Sequence, residues 1–570
     1  MKKFLLFLTI FALFFATAMA QEFYPTTVAD LNATVRIFGT GNTISGLATG
    51  ESATFQAMTF QESQFQDVNV ISETLYINGK ILKPGYVEDR FGNKYVKFMI
   101  TENGDFNYEI IAKVHSYARL LSLNDYNLSK VPTEVKEFLL PSEKIESASI
   151  PILTLAENKL PQQSFISTLT NTIAWVNDYV DYASGSDFQK YYELQQSAVQ
   201  TLIDRKGVCD EFANLAASLL RAKGIPTRIA IGVTFDGSKW GNHAWIEVYH
   251  KDYGWIPSDP TFRETGFVDA THLRMGSFSD VTESKAKCFY PEGANCKIVN
   301  QPSTEVTIES KTYFSNVSIA PLEAAQLNAL SWNTLPITIT NLTNSKITVP
   351  VKMLENYKEL LIQDSKKGII LGPSESAQVT FRVYPDINLG PNEFAEGNIT
   401  FNTLNGPYTQ QFKIGAANQS YDGDVIVQDI TPIADGKNLK IAIKVTNYYP
   451  IPKDIAIDIS PSLGINSTET LAPFETKIIG KVITPYEETP YKITITTPKT
   501  KVSTTLFAET AKDITVEEIP DAPGTITVVS DNNVPGPQQP LLSPELIVII
   551  AIILIGLVAF AYFLRKPRYV

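Results

Sequence analysis

Cys209, His243 and Asp259 are the residues of this chain whose types and order suit acyl transfer. A cysteine supplies the nucleophile, an imidazole moves its proton, and a carboxylate fixes the imidazole tautomer. After Cys209, apolar Phe212, Leu215, Ala216, Leu219 and Leu220 recur at the spacing of a helix with one buried face. Asp210 and Glu211 fall in its first turn, Arg221 and Lys223 in its last, Gly224 stops it and Pro226 forbids continuation. These signals put Cys209 at the helix N-terminus. There, unpaired N–H groups and the helix dipole favour a thiolate and can also hold an oxyanion. Gly207 is expected to let a substrate approach the backbone closely. Cysteines more commonly serve as small buried apolar residues; the start of an amphipathic helix argues against that role here.

His243 belongs to an alternating stretch. Ala244, Ile246 and Val248 make one apolar face, and His243, Trp245, Glu247 and Tyr249 make the other. A second extended run, Gly254 to Pro257, leads to Asp259. A hairpin centred on Lys251 would set His243 and Asp259, each eight positions away, side by side on one face. The remaining histidines, His115, His250 and His272, read as solvated residues.

Around these residues the chain reads Arg205-Lys206-Gly207-Val208-Cys209-Asp210-Glu211, then Gly224-Ile225-Pro226-Thr227-Arg228, His243-Ala244-Trp245, and Trp255-Ile256-Pro257-Ser258-Asp259-Pro260-Thr261. This series resembles the core of the transglutaminase-like superfamily over about Phe165 to Thr271, and Phe138 to Ser147 resembles the lead-in of prokaryotic members. The resemblance implies a papain-like α+β core with Cys209 as nucleophile, His243 as general base and acid, and Asp259 as its orienter. It implies structural roles for Arg205, Arg228 and Trp255, the indole packing under the site. The oxyanion partner does not follow from the motif; Gln195, Gln196 and Gln200 lie upstream at a suitable distance. The implied chemistry is attack on a protein or peptide amide through a thioester, followed by hydrolysis or by amide transfer to an amine. The competing reading is a catalytically inactive surface scaffold that keeps the fold; the intact triad speaks against it.

The rest of the chain must carry this core. At 570 residues it is too long for one hydrophobic core. A net charge of −12 gives no electrostatic reason to expect nucleic acid. Residues 1–20 read as a signal peptide, with Lys2 and Lys3 before an apolar stretch and Ala18-Met19-Ala20 at the cleavage site. Leu546 to Leu564 is an apolar run of spanning length followed by Arg565, Lys566 and Arg568, which puts the tail inside and the bulk of the chain outside a membrane.

Between these ends the expected order is an N-terminal β domain (21–118), the core with its helical lead-in (119–300), tandem immunoglobulin-like β-sandwiches (301–417 and 418–508) and a Pro-rich stalk (509–544). A transmembrane helix (545–564) and a cytoplasmic tail (565–570) complete the chain. The tandem assignment rests on a repeat. Pro336 to Asn341 matches Ile441 to Asn447, and Leu371-Gly372-Pro373-Ser374-Glu375 matches Leu471-Ala472-Pro473-Phe474-Glu475. These units read as spacers. Of three cysteines, Cys288 and Cys296 are close enough to close a small disulfide loop in an oxidising compartment, though the count equally allows three free thiols. Seven Asn-x-Ser/Thr sequons occur, among them Asn341. No cofactor and no metal are expected, because the histidines and cysteines lack ligand spacing and the acidic residues form no calcium loop. The expected partners are a protein or peptide substrate and, through the C-terminal helix, a membrane.

Overall fold

The computed structural model of the protein describes residues 28–506 apart from 124–125, 127–131, 161–163, 285, 299–301, 321–324, 355–356, 391–392, 417–422, 436–437, 461–464 and 485–489. The expected signal peptide, stalk, membrane helix and tail lie outside the described residues. Among those described, no helix is long and apolar enough to cross a membrane.

Alternating strands build the N-terminal part: β1 (Val28–Ser45), β2 (Ala53–Met58), β3 (Gln66–Ile77), β4 (Lys80–Leu82), β5 (Gly85–Glu88), β6 (Lys94–Ile100) and β7 (Gly104–Tyr117). Asn78 and Gly79 both have positive φ and turn β3 into β4, as their sequence signal required. Five helices follow: α1 (Ile150–Lys159), α2 (Phe165–Tyr179), α3 (Ser186–Leu194), α4 (Ala198–Asp204) and α5 (Cys209–Ala222). Phe165, Leu169, Ile173 and Val176 recur at helical spacing along α2, and all belong to the core shared with α5. Next comes an antiparallel sheet of β8 (Thr227–Phe235), β9 (Trp240–His250), β10 (Gly254–Ser258) and β11 (Leu273–Phe278), ordered β10-β9-β8-β11. Its apolar face, with Ile229, Ala244, Ile246, Val248 and Ile256, covers α5.

The chain then returns to the N-terminal part. β12 (Lys287–Phe289) pairs with β2, while β13 (Asn295–Lys297) and β14 (Ser303–Tyr313) pair with β1. The strands at 287–289, 295–297 and 303–313, expected to close the core and open the first C-terminal unit, thus complete the N-terminal sheets. Those sheets, β13-β1-β7-β3-β4 with β14 on β1 and β12-β2-β6-β5, enclose a common core. Cys288 and Cys296 are joined, so the disulfide ties a strand of one sheet to a strand of the other.

Two further units each place two sheets around one apolar core. The sequence repeat is also a repeat of contacts. Asn341 Nδ2 donates to the carbonyls of Leu371 and Gly372 at 3.3 and 2.7 Å, and Asn447 Nδ2 donates to those of Leu471 and Ala472 at the same distances. Glu375 accepts from Gly372 N and Glu475 from Ala472 N, both at 2.6 Å. Asn341 is fully buried with its amide engaged, so this sequon has no side chain to offer a glycan. The second unit touches the helical core: Ile433 packs against it, and Asp429 pairs with Lys159 of α1.

Candidate active site

Helix α5 begins at Cys209, as its sequence signals require, and Gly224 follows it with φ 83°. Glu211 holds the start of the helix: its carboxylate accepts from the N–H groups of Val208 and Gln196, each at 2.7 Å. A Cβ on Gly207 would lie 2.3 Å from Glu211 Cβ. Gly207 therefore makes room for this cap, not for a substrate.

Cys209 is 5% exposed and the Ala244 N–H of β9 is directed at its sulfur. Burial, and then the neighbouring Asp210 carboxylate 3.8 Å from Sγ, push the thiol well above its ordinary value. The helix start alone had suggested a thiolate. The enclosed site with acidic neighbours favours the uncharged thiol instead.

His243 and Asp259 meet: Nε2 is 2.7 Å from Oδ2, and both residues are buried. The hairpin behind this contact differs from the expected one. His250 pairs with Gly254 and Ile246 with Ser258, which centres the turn on Asp252. Extending that register puts Asp259 opposite Trp245, two residues from His243. The period of a strand is two, so both stay on one face and meet diagonally. Asp259 lies just past β10, held by reciprocal backbone bonds with Glu264 at 2.8 and 2.9 Å, and its Oδ1 accepts from Thr261 N at 2.6 Å. Burial works to raise Asp259, but His243 and then His272 outweigh it and hold the carboxyl well below the usual range.

His272 is the residue that sequence reasoning missed. It is fully buried, with Nε2 3.0 Å from the same Asp259 Oδ2 and Nδ1 3.2 Å from Asp269 Oδ1. His250 is buried too, among Tyr126, Phe165 and Tyr253, whereas His115 is the half-exposed strand residue expected. A signal was present: Asp259, Glu264, Asp269 and His272 fall in a stretch otherwise rich in Phe, Val, Gly and Thr. The atoms of His243, Asp259 and His272 converge within 4.8 Å, a spacing that can suit a cation. Here the two hydrogen bonds already account for the convergence.

The indole against the site is Trp245, stacked on His243 at 6.1 Å and edge-on to His272 at 5.2 Å. Trp255, expected there, instead carries the Arg228 guanidinium 4.2 Å above its ring. Arg228 pairs with Glu247, and Arg205 lies over the Tyr179 ring.

Cys209 and His243 open onto one cavity of about 320 Å³. Ile37, Ala57, Met58 and Tyr108 of the N-terminal sheets form one wall; Tyr192, Gln195, Asp210, Ile231 and Met275 of the core form the other. Ala286 and Pro302, on either side of the disulfide-closed loop, complete it. Of the three upstream glutamines only Gln195 lines this cavity, its amide donating to Asp210 at 3.3 Å. Gln196 and Gln200 both bond Asp204.

Residues 155–260 match the sequence profile of the "Transglutaminase-like superfamily". A 71-residue stretch is 35% identical to the protein-glutamine gamma-glutamyltransferase of Pseudomonas aeruginosa, covering 10% of each chain. The uncharacterized proteins YebA of Bacillus subtilis and ML0607 of Mycobacterium leprae are 34% identical over 96 residues and 28% identical over 118. The matched stretches cover 14% and 19% of this chain. The matches span 10% to 37% of the length of these three relatives. A candidate cysteine protease of Cytophaga hutchinsonii aligns in structure over 51% of this chain and 94% of its own, with 21% identity and a TM-score of 0.38. Red sea bream transglutaminase aligns over 81% of this chain and 95% of its own, with 10% identity and a TM-score of 0.19.

Proposed function

We propose that the transglutaminase-like core of this chain is a cysteine enzyme acting on protein or peptide amides, with Cys209 as nucleophile, His243 as base and acid, and Asp259 as orienter. The observation that carries this reading is the shared cavity: the buried sulfur and the imidazole both face it, and the ring's far nitrogen is bonded to a buried carboxylate. With the thiol protonated at rest, His243 takes its proton as sulfur attacks the carbonyl. The oxyanion forms beside the N-terminus of α5, with the Gln195 amide in the same cavity. His243 then gives the proton to the leaving amine, and a thioester remains. Water or a second amine resolves it; Asp210 and Glu193, which both line the cavity, give an incoming ammonium a negative wall.

The same reading puts the enzyme outside a cell, anchored by residues 545–564. It takes the two C-terminal units as immunoglobulin-like sandwiches. The Cys288–Cys296 bond supports an oxidising compartment.

The test is to incubate the full-length protein, and its Cys209→Ala variant, with peptide amides and a labelled primary amine. Cysteine-dependent incorporation identifies a transferase, and cysteine-dependent cleavage alone a hydrolase. Absence of both overturns the reading in favour of a surface scaffold.

A further inference from the structure

Asp259 Oδ2 is shared. It lies 2.7 Å from His243 Nε2 and 3.0 Å from His272 Nε2. The other ring nitrogen of His272 faces only oxygens: Asp269 Oδ1 and the Asp269 carbonyl, both at 3.2 Å, with Glu264 Oε2 at 4.0 Å. A neutral imidazole carries one N–H and could satisfy one side only. With acceptors at both nitrogens and no exposure of the side chain, the imidazolium is the form that fits.

The groups facing His272 can be counted. Asp259 comes from the end of β10, Glu264 and Asp269 from the loop before β11, and His243 from β9; Trp245 and Phe262 supply aromatic walls. Burial, and then Asp269, push Glu264 well above the usual carboxylate range, so it adds little negative charge. Burial opposes charge on His272, but the hydrogen bonds to Asp259 and then Asp269 outweigh it and raise the ring to about 10.

An aspartate facing a single histidine stabilises the protonated ring strongly. Here a resident cation already draws on that carboxylate, 5.5 Å between ring centroids from His243. We propose that His272 is a positioning residue: it fixes the Asp259 carboxylate and, as a buried cation, keeps the Cys209–His243 pair uncharged until a substrate carbonyl arrives. His243 then works as a base during attack, in place of a preformed thiolate–imidazolium pair. This rests on the triad reading above.

The experiment compares wild type with His272→Gln, which keeps a neutral donor, and His272→Phe, which keeps none. The rate of Cys209 alkylation by iodoacetamide is followed from pH 4 to 9 on the full-length protein. Loss of the cation should favour the ion pair and move the onset of thiolate reactivity down by about one to two pH units, roughly a 10- to 100-fold gain near pH 5. A merely structural residue would lower the rate at every pH without moving the profile. Superimposable profiles for wild type and His272→Gln overturn the proposal.

Should both variants fail to fold, nitrogen NMR of the four ¹⁵N-labelled histidines in the wild type decides. One ring protonated at both nitrogens at pH 8 is expected, and four neutral rings refute it. Neither readout needs a substrate, so an absent acyl-transfer activity would leave this test intact.

Discussion

Glu247 gives the sharpest stability prediction. It lies on β9 opposite Arg228 of β8 and is buried, 6% exposed. Oε2 accepts from Arg228 Nε at 2.6 Å and from the Ser277 hydroxyl at 2.7 Å, and Oε1 is 3.1 Å from Arg274 Nε. One carboxylate thus clamps three strands of the sheet that carries His243. Burial alone would raise its pKa; Arg228 and Arg274, with Ser277, reverse this and hold it at about 2. The drop from 4.5 to about 2 corresponds to about 3 kcal/mol in favour of the folded, ionised state. Because the folded value is depressed, this stabilisation is complete above pH 4.5 and fades as pH falls toward 2. Glu247→Gln keeps the shape and removes the charge, leaving the two partly buried guanidinium groups of Arg228 and Arg274 without this counter-ion. Urea unfolding followed by tryptophan fluorescence, with Trp255 under Arg228 as a local reporter, should show a loss of about 3 kcal/mol at pH 7 that shrinks to roughly 1 kcal/mol at pH 3. A loss below about 1 kcal/mol at pH 7, or an equal loss at both values, would refute the assigned electrostatics.

Gly207→Ala should lower the melting temperature and slow Cys209 alkylation, since its Cβ would sit 2.3 Å from Glu211 Cβ; Gly241→Ala, with nothing within 4 Å, should leave the melting temperature unchanged. Cys288→Ser should cost about 2–3 kcal/mol of stability in the N-terminal sheets and abolish the effect of added reductant on their unfolding, because it opens the cross-link between them. Met58→Trp, on the far wall of the cavity, should raise KM for peptide amides while leaving alkylation by small iodoacetamide unchanged; equal loss of both would mean that the wall does not contact substrate.

Local signals fixed the elements that present the chemistry. Apolar spacing, two acidic residues, Gly224 and Pro226 set both ends of α5, because a helix start and stop depend on residues within a turn of one another. The face shared by His243 and Asp259 was legible for a similar reason. Side chains alternate every two residues, so a turn centred one position later preserved the face even though it changed the partners. The tandem repeat was readable because Asn341 and Asn447, and Glu375 and Glu475, serve the same loops by the same short-range bonds.

Tertiary structure alone decided what surrounds those elements. The return of residues 287–313 to β1 and β2 pairs segments more than 200 residues apart, and nothing in their alternating pattern names a partner strand. The cavity wall from Ile37, Met58 and Tyr108 has the same origin, as does the packing of Ile433 against the helical core. His272 shows the limit most clearly. Its charge state depends on which carboxylates the loop folds around it and on the exclusion of water, and periodicity records neither. The sequence determined the order of Cys209, His243 and Asp259 and the strand face that the last two share, and the packing of distant segments determined their burial and the shape of the space before them.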